Sequence, residues 1–133
     1  MVTIHQWSSL SPYFTPEEIF SPDTIRTPHM LDVSAIIALN DGRHELGIPI
    51  LVNFNGLRLR GVRSAREQIS LKEAGGAENS QHVQGKAFDC SFDLNKISYE
   101  RFESVMRSCG FNFFKVYPDK GFIHMDHRNL III

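Results

Sequence analysis

Two short apolar segments near the C-terminal end are separated by only four residues, and this spacing strongly constrains the fold. Phe113–Tyr117 and Phe122–Asp126 are rich in aromatic and β-branched residues, a composition typical of strands. The intervening residues 118–121 read PDKG, which is typical of a tight turn. Strands joined by so short a turn run antiparallel. The sequence therefore predicts a β-hairpin over residues 113–126.

Several segments before the hairpin carry the signals that begin a helix. Residues 15–18 (TPEE) and 64–67 (SARE) have the form of a capping box, in which a hydroxyl cap and a glutamate satisfy free backbone amides. A further helix is predicted to open at Thr27-Pro28 and to stop at Gly47. Ser98 is placed to cap a fourth helix, which we expect Gly110 to end.

Three more segments are predicted as strands. Residues 48–53 form a short apolar run suited to a buried strand, and residues 57–63 alternate weakly. Residues 86–92 also have the pattern of a strand. Since helices come first and an antiparallel sheet comes last, the sequence predicts an α+β fold with N-terminal helices packed on a small antiparallel sheet. We expect a single domain over residues 1–133, because this length is typical of one domain.

Composition excludes several classes of partner. The formal net charge is -1, so there is no electrostatic reason to expect nucleic acid or an anionic membrane as a partner. No apolar run approaches the roughly 20 residues that cross a bilayer, and we expect no membrane insertion. Cys90 and Cys109 lack the CxxC spacing of a metal site and are expected to be buried thiols. A disulfide between them is the alternative. The oligomeric state is not predicted.

Two histidines and one aspartate have the chemistry of a metal site. Imidazole nitrogen and carboxylate oxygen are good ligands for Zn²⁺, and a catalytic zinc site has three protein ligands and an open position. Asp89 lies on the predicted strand after Gly85, and His124 lies on the second strand of the hairpin. If these two strands are neighbours, His124 meets Asp89 across them. His82, just before the turn at Gly85, is the third candidate ligand.

The motif around these residues resembles a known family. Residues 80–89 read SxHxxGxAxD, which resembles the signature of the M15 family of zinc DD-peptidases. Residues 122–126 (FIHMD) resemble the second block of that family, and residues 61–64 (GVRS) resemble its arginine block. Residues 13–22 are similar to the opening of the short, often phage-encoded branch. The resemblance implies zinc bound by His82, Asp89 and His124, in the α+β fold shared with the Hedgehog signalling domain.

The same resemblance implies an activity and a substrate. It implies hydrolysis of peptide bonds in bacterial peptidoglycan stem peptides, by a DD-carboxypeptidase or an endopeptidase. Arg63 matches the arginine expected to hold a substrate carboxylate or to polarise the scissile carbonyl, and Ser80 matches a serine near the substrate. The alternative is a non-catalytic module of the same fold that zinc stabilises, which would serve as a virion part or a binding domain.

The N-terminal residues indicate where such a protein would act. They lack the basic segment followed by an apolar segment of a secretory signal. We therefore expect a protein made in the cytoplasm that reaches the host cell wall after phage-type release, as a lysin, or as part of a virion.

The chain departs from the family pattern at the position of the general base, the group that takes a proton from water. Several M15 relatives place a glutamate three residues before the last histidine ligand, and here that position is Gly121. Asp126 shares a strand face with His124, so it is a candidate base or a residue that orients an imidazole. Asp119, in the turn, is the other candidate base, and position in the motif favours Asp126 over it. His127 is predicted to point away from the metal.

Overall fold

The computed structural model describes residues 7, 9–26, 31–54, 58–73 and 80–128. In these residues four helices, one 3-10 turn and a three-stranded antiparallel sheet make up an α+β fold, as predicted. The helices are α1 (Pro16–Ile19), α2 (Val33–Leu46), α3 (Ala65–Glu73) and α4 (Tyr99–Cys109), and the strands are β1 (Ala87–Cys90), β2 (Phe113–Tyr117) and β3 (Phe122–Asp126). None of the helices described is both long enough and apolar enough to cross a bilayer.

The predicted capping signals begin three of these helices. The amide of Thr15 donates to Oε1 of Glu18 at 3.0 Å at the start of α1. At the start of α3, the Ser64 amide donates to Oε1 of Glu67 at 2.7 Å, and the Glu67 amide donates to Oγ of Ser64 at 3.1 Å. Ser98 caps α4 as predicted, by accepting from the Arg101 amide at 3.1 Å. These side chains satisfy amides that have no partner within the helix.

α2 ends where the second helix was predicted to end, but it begins at a later residue than predicted. It ends before Gly47, which has a φ of 67° and so adopts the left-handed conformation that glycine tolerates best. It begins at Val33, because Asp32 accepts a hydrogen bond from the Ala35 amide at 3.1 Å and caps it there. The predicted opening at residues 27–28 lies outside the described residues.

The sheet has the order β1-β3-β2, so β3 lies in the centre. The hairpin of β2 and β3 has the predicted bounds, and the 3-10 turn Pro118–Lys120 joins its strands. Asp89 is the direct partner of His124 across β1 and β3. Side chains alternate between the two faces of a sheet. One face carries the metal-ligating candidates, and the other carries buried apolar side chains that belong to the hydrophobic core: Phe88, Cys90, Ile123 and Met125.

The strands predicted at residues 48–53 and 57–63 are not formed, and each described part retains only one isolated bridge. Leu51 pairs with Ser91, and Val62 pairs with Phe20. The side chain of Asn53 bonds to backbone groups of two other segments. Its amide nitrogen donates to the Phe20 carbonyl at 3.1 Å, and its oxygen accepts from the backbone amide of Arg60 at 3.0 Å. A side chain that bonds to backbone in this way competes with regular sheet pairing.

Both cysteines are free thiols, so no disulfide joins them. Cys90 is buried in β1, as predicted, and burial raises the pKa of its thiol well above the ordinary value. Cys109, at the end of α4, is partly exposed rather than buried. The prediction of two buried thiols is therefore right for Cys90 and wrong for Cys109.

Gly61 lies where the chain leaves no room for a side chain. A Cβ built on it would lie 2.2 Å from the backbone oxygen of Ile19, which also accepts a hydrogen bond from the Val62 amide at 2.9 Å. The contact is with backbone rather than with the end of a flexible side chain. We expect Gly61→Ala to lower the free energy of unfolding by about 3 kcal/mol, as overpacked sites do, measured by urea denaturation.

Gly47→Ala is the control for this prediction. A Cβ at Gly47 meets nothing within 4 Å, so only its left-handed backbone penalises the substitution, by about 1 kcal/mol. Equal losses of stability in the two variants would contradict the steric explanation.

Candidate metal centre

Three elements bring the predicted ligands together. His82 lies in the turn before β1, Asp89 on β1 and His124 on β3. Gly85, with a φ of 69°, closes the turn after His82 and lets the chain enter β1. The antiparallel register then places Asp89 directly opposite His124, as predicted for neighbouring strands.

The donor atoms of these residues converge on one point. Oδ1 of Asp89 lies 3.2 Å from Nε2 of His82 and 3.0 Å from Nδ1 of His124. One ligand atom from each residue can be chosen so that all three lie within 4.8 Å of one another. Two imidazole nitrogens and one carboxylate oxygen at this separation fit a Zn²⁺ ion.

The backbone of Gly61 orients His82. Nδ1 of the imidazole donates to the Gly61 carbonyl at 2.8 Å, so the proton is on Nδ1 and the lone pair of Nε2 faces Asp89. The side chain of His82 is only 3% exposed, and burial lowers the pKa of its imidazole despite the neighbouring Asp89 carboxylate. His82 is therefore neutral near pH 7, which is the form that binds metal.

His124 is oriented by a buried carboxylate. Nε2 of His124 donates to Oδ2 of Asp126 at 2.7 Å, so Nδ1 is the nitrogen that faces Asp89. Burial alone would lower the pKa of His124, but the hydrogen bonds to Asp126 and Asp89 raise it above its usual value. Asp126 is fully buried, and Arg128 donates to it through Nε at 2.7 Å and through Nη2 at 2.6 Å. Both oxygens of Asp126 are thus engaged.

Asp89 is held in its charged form. Burial would raise the pKa of its carboxyl, but the imidazoles of His82 and His124 lower it well below the ordinary range. An ionised carboxylate is the form that ligates a metal. Asp89 and His82 are therefore in the forms that bind a metal, whereas the raised pKa of His124 favours an imidazolium whose Nδ1 proton a metal ion would replace.

A family comparison agrees with this geometry. A family model with the description Peptidase M15 matches residues 12–126 of the chain. The chain belongs to the Peptidase M15 family. The match spans the N-terminal segment, the arginine block and all three candidate ligands, which confirms the resemblance inferred from the motifs. No curated protein and no solved structure matches the chain. Family membership places the chain among the peptidases, whose substrates are peptides.

In this M15 domain, the two residues predicted to contact substrate are bonded to each other. Nη2 of Arg63 donates to Oγ of Ser80 at 3.0 Å, and Ser80 Oγ also accepts from the His82 amide at 3.1 Å. Arg63 donates in addition to the Leu59 carbonyl and to Oε1 of Gln68, each at 2.8 Å. Three of its five N–H donors are thereby used within the protein. Arg63 and Ser80 therefore support the turn that carries His82.

The ligand cluster of the described residues includes neither Asp119 nor His127. Asp119 is exposed in the 3-10 turn, and no hydrogen bond or ion pair among the described residues joins it to the three ligands. Gly121 has a φ of 75° and open space where a side chain would be. Nδ1 of His127 donates to the Gly110 carbonyl at 2.8 Å, so His127 points away from the metal centre as predicted.

Sequence reasoning missed one residue of the site, Arg60. Its Nη1 lies 3.7 Å from Oδ2 of Asp89, and its guanidinium lies over the rings of Phe54 and Phe122. The sequence contained only a weak signal, an arginine in a segment with an alternating apolar pattern next to the arginine block. Nothing in that pattern pairs position 60 with position 89.

Proposed function

We propose that this M15 domain is a zinc-dependent peptidase that hydrolyses peptide bonds in bacterial peptidoglycan stem peptides, as a DD-carboxypeptidase or an endopeptidase. The observation that carries the proposal is the convergence of His82 Nε2, Asp89 Oδ1 and His124 Nδ1 on one point. The side chain of His124 is 17% exposed, against 3% for His82, so substrate approaches from the side of His124.

Zinc at this site would act as a Lewis acid, polarising the scissile carbonyl and lowering the pKa of a water molecule to about 7. The residues of the chain supply orientation and charge. Asp126 holds the His124 ring in place through Nε2, as outer partners of ligand imidazoles do. Arg63, whose remaining donors are not used within the described structure, is proposed to bind an oxygen of the substrate.

Proton transfer is the step with the least structural support. Asp126 accepts hydrogen bonds on both oxygens and is fully buried, which supports the orienting role rather than the role of base. We therefore propose Asp119 as the group that takes the proton from water and passes it to the leaving amine. Its exposed position in the turn before β3 allows its side chain to move toward the substrate.

We further propose that the domain acts on the host cell wall, as a phage lysin or a virion-associated hydrolase. The support is the similarity of residues 13–22 to the phage-encoded branch of the family. The alternative is a zinc-stabilised module without activity. It is favoured by a single observation, the replacement of the usual glutamate by Gly121, which has no side chain for proton transfer.

Digestion of purified peptidoglycan tests the proposed function. We expect the zinc-loaded protein to release muropeptides with shortened or cleaved stem peptides, detected by mass spectrometry. A chelator should stop the reaction, because the site loses its Lewis acid, and added zinc should restore it. Zinc content is quantified in the same sample. A protein that binds zinc and loses melting temperature with chelator, yet leaves every stem peptide intact, would support the non-catalytic alternative.

A further inference from the structure

The two oxygens of Asp89 have different surroundings. Oδ1 faces the two imidazoles, at 3.2 Å from Nε2 of His82 and 3.0 Å from Nδ1 of His124. Oδ2 faces the guanidinium of Arg60, with Nη1 at 3.7 Å. A carboxylate that binds a metal through both oxygens would have to turn Oδ2 away from this cation. The structure thus separates a metal-facing oxygen from an arginine-facing oxygen.

Arg60 is fixed next to Asp89 by its backbone as well as by its charge. The Asp89 amide donates to the Arg60 carbonyl at 2.7 Å. The next residue, Gly61, accepts the proton of His82 Nδ1, and the Arg63 amide donates to the His82 carbonyl at 3.3 Å. Residues 60–63 therefore contact two of the three ligands. A change confined to the Arg60 side chain leaves these backbone contacts in place.

Aromatic rings hold the Arg60 guanidinium in position. Its Cζ lies 4.9 Å from the ring centre of Phe54 and 4.5 Å from that of Phe122, and the two rings are 5.8 Å apart. Nε is buried and has no hydrogen-bond partner among the described residues. Stacking suits the planar guanidinium better than it suits a lysine ammonium. The rings, rather than a hydrogen-bond network, direct the charge toward Oδ2.

We infer that Arg60 is a positioning residue of the metal centre, which occupies Oδ2 of Asp89 so that this ligand binds metal through Oδ1 alone. The inference depends on the proposed function only in requiring that the three ligands bind a metal. A ligand that binds through one oxygen takes one coordination position instead of two. The position saved stays open for water and substrate, as catalytic zinc sites require.

Substitution of Co²⁺ for zinc tests this role without a measurement of activity. Four-coordinate Co²⁺ absorbs visible light more strongly than five- or six-coordinate Co²⁺. We expect strong absorption per bound ion in the unaltered protein and a clear loss of intensity in Arg60→Met, because Asp89 becomes free to bind through both oxygens. Arg60→Lys should keep part of the intensity, since an ammonium still pairs with Oδ2 but stacks less well on the two rings. It also provides a readout if Arg60→Met does not fold.

Arg58→Met is the matched control. Arg58 lies in the same segment, and its Nη2 donates to the Phe20 carbonyl at 3.2 Å rather than to a ligand. Its spectrum should equal that of the unaltered protein. Equal intensity in Arg60→Met and the unaltered protein would overturn the inference, as would the same loss in Arg58→Met or in Arg60→Lys. Failure of the unaltered protein to bind Co²⁺ or Zn²⁺ would instead contradict the proposed function.

Discussion

Replacement of His82 with alanine should abolish zinc binding and lower peptide hydrolysis at least about 10³-fold. The loss corresponds to about 4 kcal/mol of transition-state stabilisation, within the several kcal/mol that a metal Lewis acid supplies. His82 is the most buried of the three ligands, and among the described residues only His124 supplies a second imidazole to the cluster. Zinc per protein, by elemental analysis, and muropeptide turnover are the two measurements.

His127→Ala is the control for His82→Ala. His127 is close to His124 in the chain, but its Nδ1 donates to the Gly110 carbonyl and not to a residue of the metal centre. We expect this variant to keep its zinc and its turnover. A His82→Ala protein that still binds one zinc ion with unaltered affinity would show that the metal site lies elsewhere.

Asp126→Asn should weaken zinc binding about 10- to 100-fold, the usual effect of removing an outer partner of a ligand imidazole. The neutral amide has one acceptor oxygen where the carboxylate has two, so it pairs less well with Arg128 and orients the His124 ring less firmly. Turnover should recover when zinc is raised to saturation, because the donor atoms themselves remain. Competition with a chromophoric chelator gives the affinity, and muropeptide release at increasing zinc gives the activity.

Asp119→Asn separates orientation from proton transfer. In this variant we expect zinc affinity to be unchanged and turnover at saturating zinc to fall by about 10² or more, as it does when general base catalysis is lost. The reverse pattern, with normal zinc affinity and lost turnover in Asp126→Asn, would return the role of base to Asp126. Full turnover in both variants would exclude both carboxylates as the base.

Local signals predicted much of the fold. The hairpin was predicted with its correct bounds because the turn at residues 118–121 joins two strands that both show strand composition. The capping residues of α1, α3 and α4 likewise act within one turn of helix, so their effect is visible in a few consecutive residues. The start of α2 was placed too early, because the helix begins after Asp32, whose side chain accepts from the Ala35 amide.

Contacts between distant segments account for the parts that the sequence did not predict. The segments at 48–53 and 57–63 failed as strands because the side chain of Asn53 bonds to backbone from two other segments. In the site, alternation along β1 and β3 was enough to place Asp89 opposite His124. The contact of Arg60 with Asp89 and the bond between Arg63 and Ser80 depend on how loops pack in space, which no local pattern encodes.

The difference between the two faces of the sheet also helps to determine the register of β1 against β3. A slip of β1 by one residue along β3 would turn Phe88 and Cys90 out of the core and turn Asp89 into the apolar interior, away from His124. The hydrophobic effect therefore penalises the same misalignment that would destroy the metal centre. A slip of two residues keeps the faces but moves His124 away from Asp89, so the contacts between the ligands also oppose it. Core packing and metal ligation thus both favour the native register of β1 and β3.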